Sequence, residues 1–177
     1  VRILGAILAG GKARRFGSDK AQALYRGERL IDCVARSLRG QTNAVVLCGR
    51  VDPDFSCLED RPNGDLGPLG GLCAALNHAH HHGYTHVLST GVDAPDLPVD
   101  LCQTLTGADT VNRAAIVENQ PVIGLWPAPL CKELDAFLAQ GGRALYGFAE
   151  QVNARRIAFD PPLMNVNRPA DLGDDQP

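Results

Sequence analysis

The segment Ile3-Leu4-Gly5-Ala6-Ile7-Leu8 is apolar at every position and stops at Gly10-Gly11. A strand with one solvated face would alternate apolar and polar residues. A continuous apolar run closed by glycine instead reads as a strand covered on both faces, as in parallel sheets flanked by helices. Parallel strands need crossover connections, so helical and strand patterns should alternate along the chain. They do. Glu28 to Arg39 carries Leu30, Ile31, Val34, Ala35 and Leu38 at helical spacing, and Ala44 to Leu47 is a second strand. Asp52 to Leu69 is rich in Pro, Gly and Asp and reads as loop, followed by a helix from about Gly70 to His82. Val87 to Ser89 is a third strand, and Pro98 precedes a helix over Val99 to Leu105. Ala114 to Val117 and Val122 to Trp126 read as strands, Leu130 to Leu138 as a helix, and Arg156 to Phe159 as a final strand. The pattern predicts an α/β fold with a mainly parallel central sheet, residues 1–177 forming one domain.

Ligands of such sheets bind beyond the carboxyl ends of the strands. Two chemically loaded stretches fall there. The first, LAGGKARRFGSDK from Leu8 to Lys20, brings Lys12, Arg14, Arg15 and Lys20 together in a chain whose net charge is −3. Glycines let backbone N–H groups approach an anion closely, arginine adds bidentate phosphate contacts and lysine a mobile point charge. The G-x-G-x-x-G fingerprint is absent from this loop. The P-loop pattern fails because Ala6 and Ala13 replace its first glycine and its metal-binding hydroxyl. A phosphate ligand and a solvated basic face both remain open on these residues alone. The second stretch, GVDAPDLP, holds Asp93, a residue type that serves equally as a metal ligand or a helix cap.

Composition narrows the classes further. The apolar fraction is 45%, and no run approaches the roughly 20 apolar residues of a membrane helix. The apolar N-terminal segment runs into the glycine-basic stretch without a small-residue cleavage pattern, so it reads as a core strand and not a signal peptide. The six cysteines show no C-x-x-C pairing, which predicts reduced, packed thiols in a cytoplasmic protein. Basic residues confined to one loop argue against nucleic acid as a partner. His78 and His82 are spaced to share a helix face but lack an H-E-x-x-H pattern, so the tract NHAHHHGYTH reads as a polar helix end.

The string LAGGKARRFGSDK closely resembles the N-terminal signature L-A-G-G-x-x-R-R-[FM]-G-x-D-K of molybdenum cofactor guanylyltransferases, which share a Rossmann-like nucleotidyltransferase fold. LEDRPNGDLGPLGGL resembles the family's E-D-x-x-x-x-x-G-P-L-x-G stretch, STGVDAPDLP its C-D-T-P-x-[IL]-P strand end, and QPVIGLW and NVNRPADL its later strand and tail. The resemblance implies a three-layer sandwich that transfers GMP from GTP to the terminal phosphate of molybdopterin, releasing pyrophosphate, with Mg²⁺ as cofactor. It implies catalytic roles for Lys20, Arg15 and Asp93 and a metal ligand in Asp93. Nucleotide binding would fall to Leu8, Ala9, Gly10, Gly11, Lys20, Cys48, Asp60 and Asp93. GTP and molybdopterin or molybdenum cofactor are the implied partners, with other cofactor biosynthesis proteins and molybdoenzyme chaperones as candidate protein partners; neither nucleic acid nor membrane is expected.

Three positions depart from the family pattern. Cys48 falls where the family often has asparagine, and Ala94 and Asp96 replace its threonine and an apolar or aromatic residue. Asp60, Gly67, Gly70 and Gly71 also suit turn and helix-entry roles, as Asn165 and Asn167 suit a turn. The alternatives are a cytidylyl- or sugar-phosphate nucleotidyltransferase of the same fold, a non-catalytic GTP-binding regulator, or a zinc-binding module built on the histidines. Gly10-Gly11 favours GTP, because the cytidine relatives usually show L-A-A-G.

Overall fold

The computed structural model describes residues 1–10, 19–107 and 112–173. Seven strands form one sheet: β1 (Ile3–Leu8), β4 (Ala44–Cys48), β5 (Ser56–Leu58), β6 (His86–Gly91), β7 (Ala115–Val117), β8 (Gln120–Pro127) and β9 (Arg155–Ile157). Their order is β5-β4-β1-β6-β8-β7-β9, and β2 (Leu24–Tyr25) pairs with β3 (Glu28–Arg29) in a separate hairpin. The helices are α1 (Leu30–Arg39), α2 (Pro68–His81), α3 (Leu101–Thr106), α4 (Cys131–Ala139) and α5 (Leu145–Gln151).

The sheet is mainly parallel. β8 runs antiparallel to both β6 and β7, while β7 pairs with β9 in parallel. The reversal follows from chain length: β7 and β8 are joined by Glu118 and Asn119, with Asn119 at φ 65°, too few residues for a crossover.

Although β1 is apolar throughout, its side chains divide between two cores. Leu4, Ala6 and Leu8 pack toward α2 and α4 with Leu72, Leu76, Trp126 and Leu134. Ile7 packs on the opposite face with Val34 and Leu38 of α1 and Leu101 and Leu105 of α3. Helices cover both faces, giving three layers. In α2, buried residues run from Leu69 to Ala79 around most of the helix, which is why its pattern lacks a clean polar stripe. Deep in the first core, Trp126 donates its indole N–H to Ser89 Oγ at 3.0 Å, and Ser89 donates onward to Val122 O at 2.7 Å.

Several boundaries differ from the sequence reading. α1 starts at Leu30 instead of Glu28, because Glu28 and Arg29 pair with Tyr25 and Leu24. Arg26 and Gly27 turn that hairpin at φ 50° and 80°, the left-handed values a two-residue turn requires. The expected loop over 52–69 contains β5, three residues long and only partly covered. The first helix after β6 begins at Leu101, not Val99. α5 was not anticipated: only Leu145, Phe148 and Ala149 are buried in its seven residues. The cysteines are free thiols, and among the described residues no helix is long and apolar enough to cross a membrane.

Leu72 is completely buried in the first core and Val99 is 93% exposed. Leu72→Ala is expected to lower the unfolding free energy by about 2–5 kcal/mol, and Val99→Ser to change it by no more than about 0.5 kcal/mol, measured by urea denaturation.

Candidate functional site

The carboxyl ends of β4, β1 and β6 lie side by side, with Leu8 in register with Cys48 on one side and Gly91 on the other. Ala9 N–H donates to Cys48 O at 2.9 Å, extending that alignment beyond the last strand residue. Two cavities open above these ends. One, of about 620 Å³, is walled by Gly49, Arg50, Glu59, Asp60, Asn63 and their neighbours. The other, of about 260 Å³, is lined by Leu8, Ala9, Lys20, Gly67, Asp93 and Val122 among others. Gly10 borders both.

The larger cavity is organised around Asp60. A Cβ at Gly10 would stand 2.5 Å from Asp60 Oδ2, and one at Gly70 would stand 3.0 Å from Asp60 Cβ. Gly49 is confined by backbone as well: at φ 81°, its Cβ would lie 2.5 Å from Gly10 Cα and 2.8 Å from Asp60 Oδ1. Gly71 completes the cradle, 3.4 Å from Oδ1 by the same measure. The glycines therefore let the carboxylate sit against backbone from β1, β4 and the start of α2. Asp60 Oδ1 is sealed from solvent with no hydrogen-bond partner among the described residues, and burial raises the acid above its ordinary value of 3.8.

Asp93 organises the smaller cavity. It lies well before α3, whose N-cap position is Asp100, so it does not cap that helix. Its half-buried carboxylate is raised above 3.8 by burial, an effect that the charge of Lys20 opposes. Its main-chain oxygen accepts from Val166 N–H at 2.7 Å. With the Asn165 amide turned so that its nitrogen faces Asp93, that nitrogen donates to Oδ2 at 2.5 Å and to the main-chain oxygen at 3.3 Å. The tail thus reaches the carboxylate, a contact visible in the sequence only as the asparagine pair of NVN. A single hard carboxylate at the cavity mouth suits a divalent cation that draws its other ligands from phosphate and water.

Lys20 opens a single 3₁₀ turn, Lys20–Gln22, capped by Asp19, whose Oδ1 accepts from Ala21 N–H at 3.2 Å. Arg50 grips the same carboxylate through both Nη atoms, at 2.8 and 2.6 Å. Sequence reading missed Arg50, although Gly49-Arg50 leaves β4 as Gly10-Gly11 leaves β1, and the strand-end rule applies to both. Asp96 engages the β2–β3 hairpin: it accepts from Tyr25 OH at 2.6 Å and pairs with Arg26 at 3.7 Å. The Cys48 side chain is fully buried beneath the cavities, where burial pushes its thiol up and keeps it neutral. Gly11, Lys12, Arg14 and Arg15 lie outside the described residues. At the far end of α2, His78 and His82 stack 4.0 Å apart, and His82 Nδ1 engages His78 O at 2.8 Å. No group of three metal-ligating side chains forms among the described residues.

Residues 5–154 match the MobA-like NTP transferase domain. The molybdenum cofactor guanylyltransferase of Rhizobium leguminosarum bv. trifolii is 32% identical over 97% of this chain and 90% of its own length. That of Acidiphilium cryptum is 34% identical over 94% of this chain and 90% of its length. In fold, the chain is similar to the crystal structure of molybdopterin-guanine dinucleotide biosynthesis protein A from Archaeoglobus fulgidus, with a TM-score of 0.76 at 20% identity, covering 96% of this chain and 94% of that one. It is also similar to 2-C-methyl-D-erythritol 4-phosphate cytidylyltransferase from Thermus thermophilus, with a TM-score of 0.69 at 14% identity, covering 97% and 95%. The strand-end site and the match along nearly the whole chain lead to one assignment: the chain is a nucleotidyltransferase and belongs to the molybdenum cofactor guanylyltransferase family.

Proposed function

We propose that the larger cavity takes the nucleoside of GTP, and that the smaller one takes its phosphates together with Mg²⁺ and the terminal phosphate of molybdopterin. A pterin phosphate oxygen attacks the α-phosphorus of GTP, the bond to the β-phosphate oxygen breaks, and pyrophosphate leaves with that electron pair. The nucleophile is already ionised at neutral pH, so no general base is needed. The protein's task is alignment and charge neutralisation.

The observation that carries this reading is the placing of two partly buried carboxylates, Asp60 and Asp93, on cavities that meet at Gly10. Asp60, which lines the larger cavity, receives hydrogen bonds from the nucleoside, while the backbone of Leu8, Ala9 and Gly10 lines the path between the cavities. Asp93 faces the phosphates, and Asn165 holds its carboxylate in orientation. Lys20 borders the same cavity and supplies positive charge to the phosphate oxygens. When bound, Mg²⁺ would neutralise phosphate charge at Asp93, whose single hard carboxylate fits an ion that keeps most of its ligands as phosphate and water. Gly11 and Arg15 take their phosphate roles from the family motif. Cys48 acts from below, packing under the cradle where a Cβ on Gly71 would lie 3.1 Å from its own Cβ.

Thermal shift with GTP, CTP and ATP at equal concentration and with Mg²⁺ tests the reading. GTP is expected to raise the melting temperature most, Lys20→Ala and Asp93→Ala to reduce that rise, and Asp93→Ala to abolish its dependence on Mg²⁺. A larger shift with CTP would transfer the assignment to a cytidylyltransferase.

Asp60 yields a prediction of opposite sign. Because its folded-state acidity is weakened by burial, its ionisation destabilises the unliganded protein as pH rises from 3.8 through the raised folded value. Asp60→Asn is therefore expected to raise the melting temperature of unliganded protein at pH 7, to lose that advantage below pH 3.8, and to weaken GTP binding. Melting curves across pH, with and without GTP, read all three effects.

A further inference from the structure

Arg50 is a wall residue of the larger cavity, yet its guanidinium points at the turn that carries Lys20 on the smaller one. Nη1 donates to Asp19 Oδ1 at 2.8 Å and Nη2 to Oδ2 at 2.6 Å, a planar fork-to-fork pair. The same Asp19 Oδ1 caps the turn through Ala21 N–H at 3.2 Å. At the turn's other end, Gln22 donates to Asp52 Oδ2 at 3.4 Å and accepts from Arg29 Nη1 at 3.3 Å, while Arg29 pairs with the buried Asp52 at 3.0 Å. Arg50 and Asp52 both belong to the connection from β4 to β5, so one connection holds Lys20–Gln22 from both sides. Arg50 Nε is shut off from solvent and has no acceptor among the described residues. Its guanidinium is therefore oriented by the Asp19 pair and by packing, a geometry that a lysine ammonium cannot reproduce.

We propose that Asp19 and Arg50 form a positioning latch between the two halves of the site: Arg50, in the nucleoside wall, sets the placement of Lys20 over the phosphates. This inference rests on the assignment of the two cavities made above. Its consequence is a reciprocal coupling, since a triphosphate engaged by Lys20 must in turn favour the closed pair. Neither residue touches the reacting atoms. Their hydrogen bond holds the Asp19 acid below and the Arg50 base above its ordinary value, outweighing the opposing effect of burial on each, so both stay charged.

Two variants separate the latch from bulk electrostatics and from folding. Arg50→Lys keeps the charge and loses the fork. Asp19→Asn keeps a side chain suited to capping the turn and loses the ion pair. These variants, their double and wild type are titrated calorimetrically with Mg-GTP and with guanosine, which has no phosphate, and melted without ligand. Each single variant is expected to bind GTP about fivefold more weakly, with a clearly smaller loss for guanosine and only a small fall in the unliganded melting temperature. The double is expected to be no weaker than the worse single, because both remove one interaction. Unchanged GTP affinity, equal loss for guanosine and GTP, or losses that multiply in the double would each overturn the latch. Wild type is first titrated with GTP, CTP, ATP and UTP. Preference for another triphosphate overturns the guanine assignment alone, and the latch is then tested with that triphosphate and its nucleoside; binding of none overturns both.

Discussion

A carboxylate pressed against glycine backbone is the contact on which the site depends. Gly10 leaves β1, Gly49 leaves β4, and Gly70 and Gly71 lie in the first turn of α2; all four face Asp60. A side chain at Gly49 would meet the Gly10 backbone and force the ends of β1 and β4 apart, one at Gly10 would collide with the Asp60 carboxylate, and those at Gly70 and Gly71 would crowd Asp60, Cys48 and Leu8. The sheet can tolerate this convergence because its central strands are covered on both faces, so the strand ends are held by two cores and not by contacts at the mouth. Rigidity below supports close approach above.

The same convergence leaves charge incompletely compensated. Asp60 and Asp93 are both raised by burial, and Asp60 Oδ1 has no hydrogen-bond partner among the described residues. Local choices of this kind oppose folding and favour binding, the pattern expected where a chain gives up stability for function. Compensation is placed nearby instead. The Arg29 network with Asp32, Asp52 and Asp54, and the Arg50 pair with Asp19, anchor the surrounding connections.

Legibility in the sequence tracked the locality of each signal. β1, α1 and β6 were readable because burial writes itself into runs and periods. β5 and α5 were not: each is short, and the tertiary contacts that order them leave few apolar residues in sequence. The parallel sheet was correctly expected, but the reversal of β8 depends on a two-residue turn whose meaning is plain only once β7 is known to end at Val117. Lys20, Asp60 and Asp93 stood out through a family resemblance. Arg50 did not, since its meaning lies in a partner 31 residues away. Asp96, which stood out only as a departure from the family pattern, is explained by a partner 71 residues away: it accepts from the Tyr25 hydroxyl and belongs with the hairpin.

The tail has a consequence for the order in which the protein is made. The MobA-like match ends at residue 154, but Asn165 and Val166 reach back to Asp93, and Val166 and Leu172 pack against Tyr25, Leu30 and Cys33 near the other end of the chain. During translation, every strand of the parallel half is made before these residues leave the ribosome. A nascent chain halted after the matched segment would have its sheet but an unsupported carboxylate at the mouth. The contacts that Asn165 and Val166 make with Asp93 therefore form only after the last described strand, β9, has been synthesised.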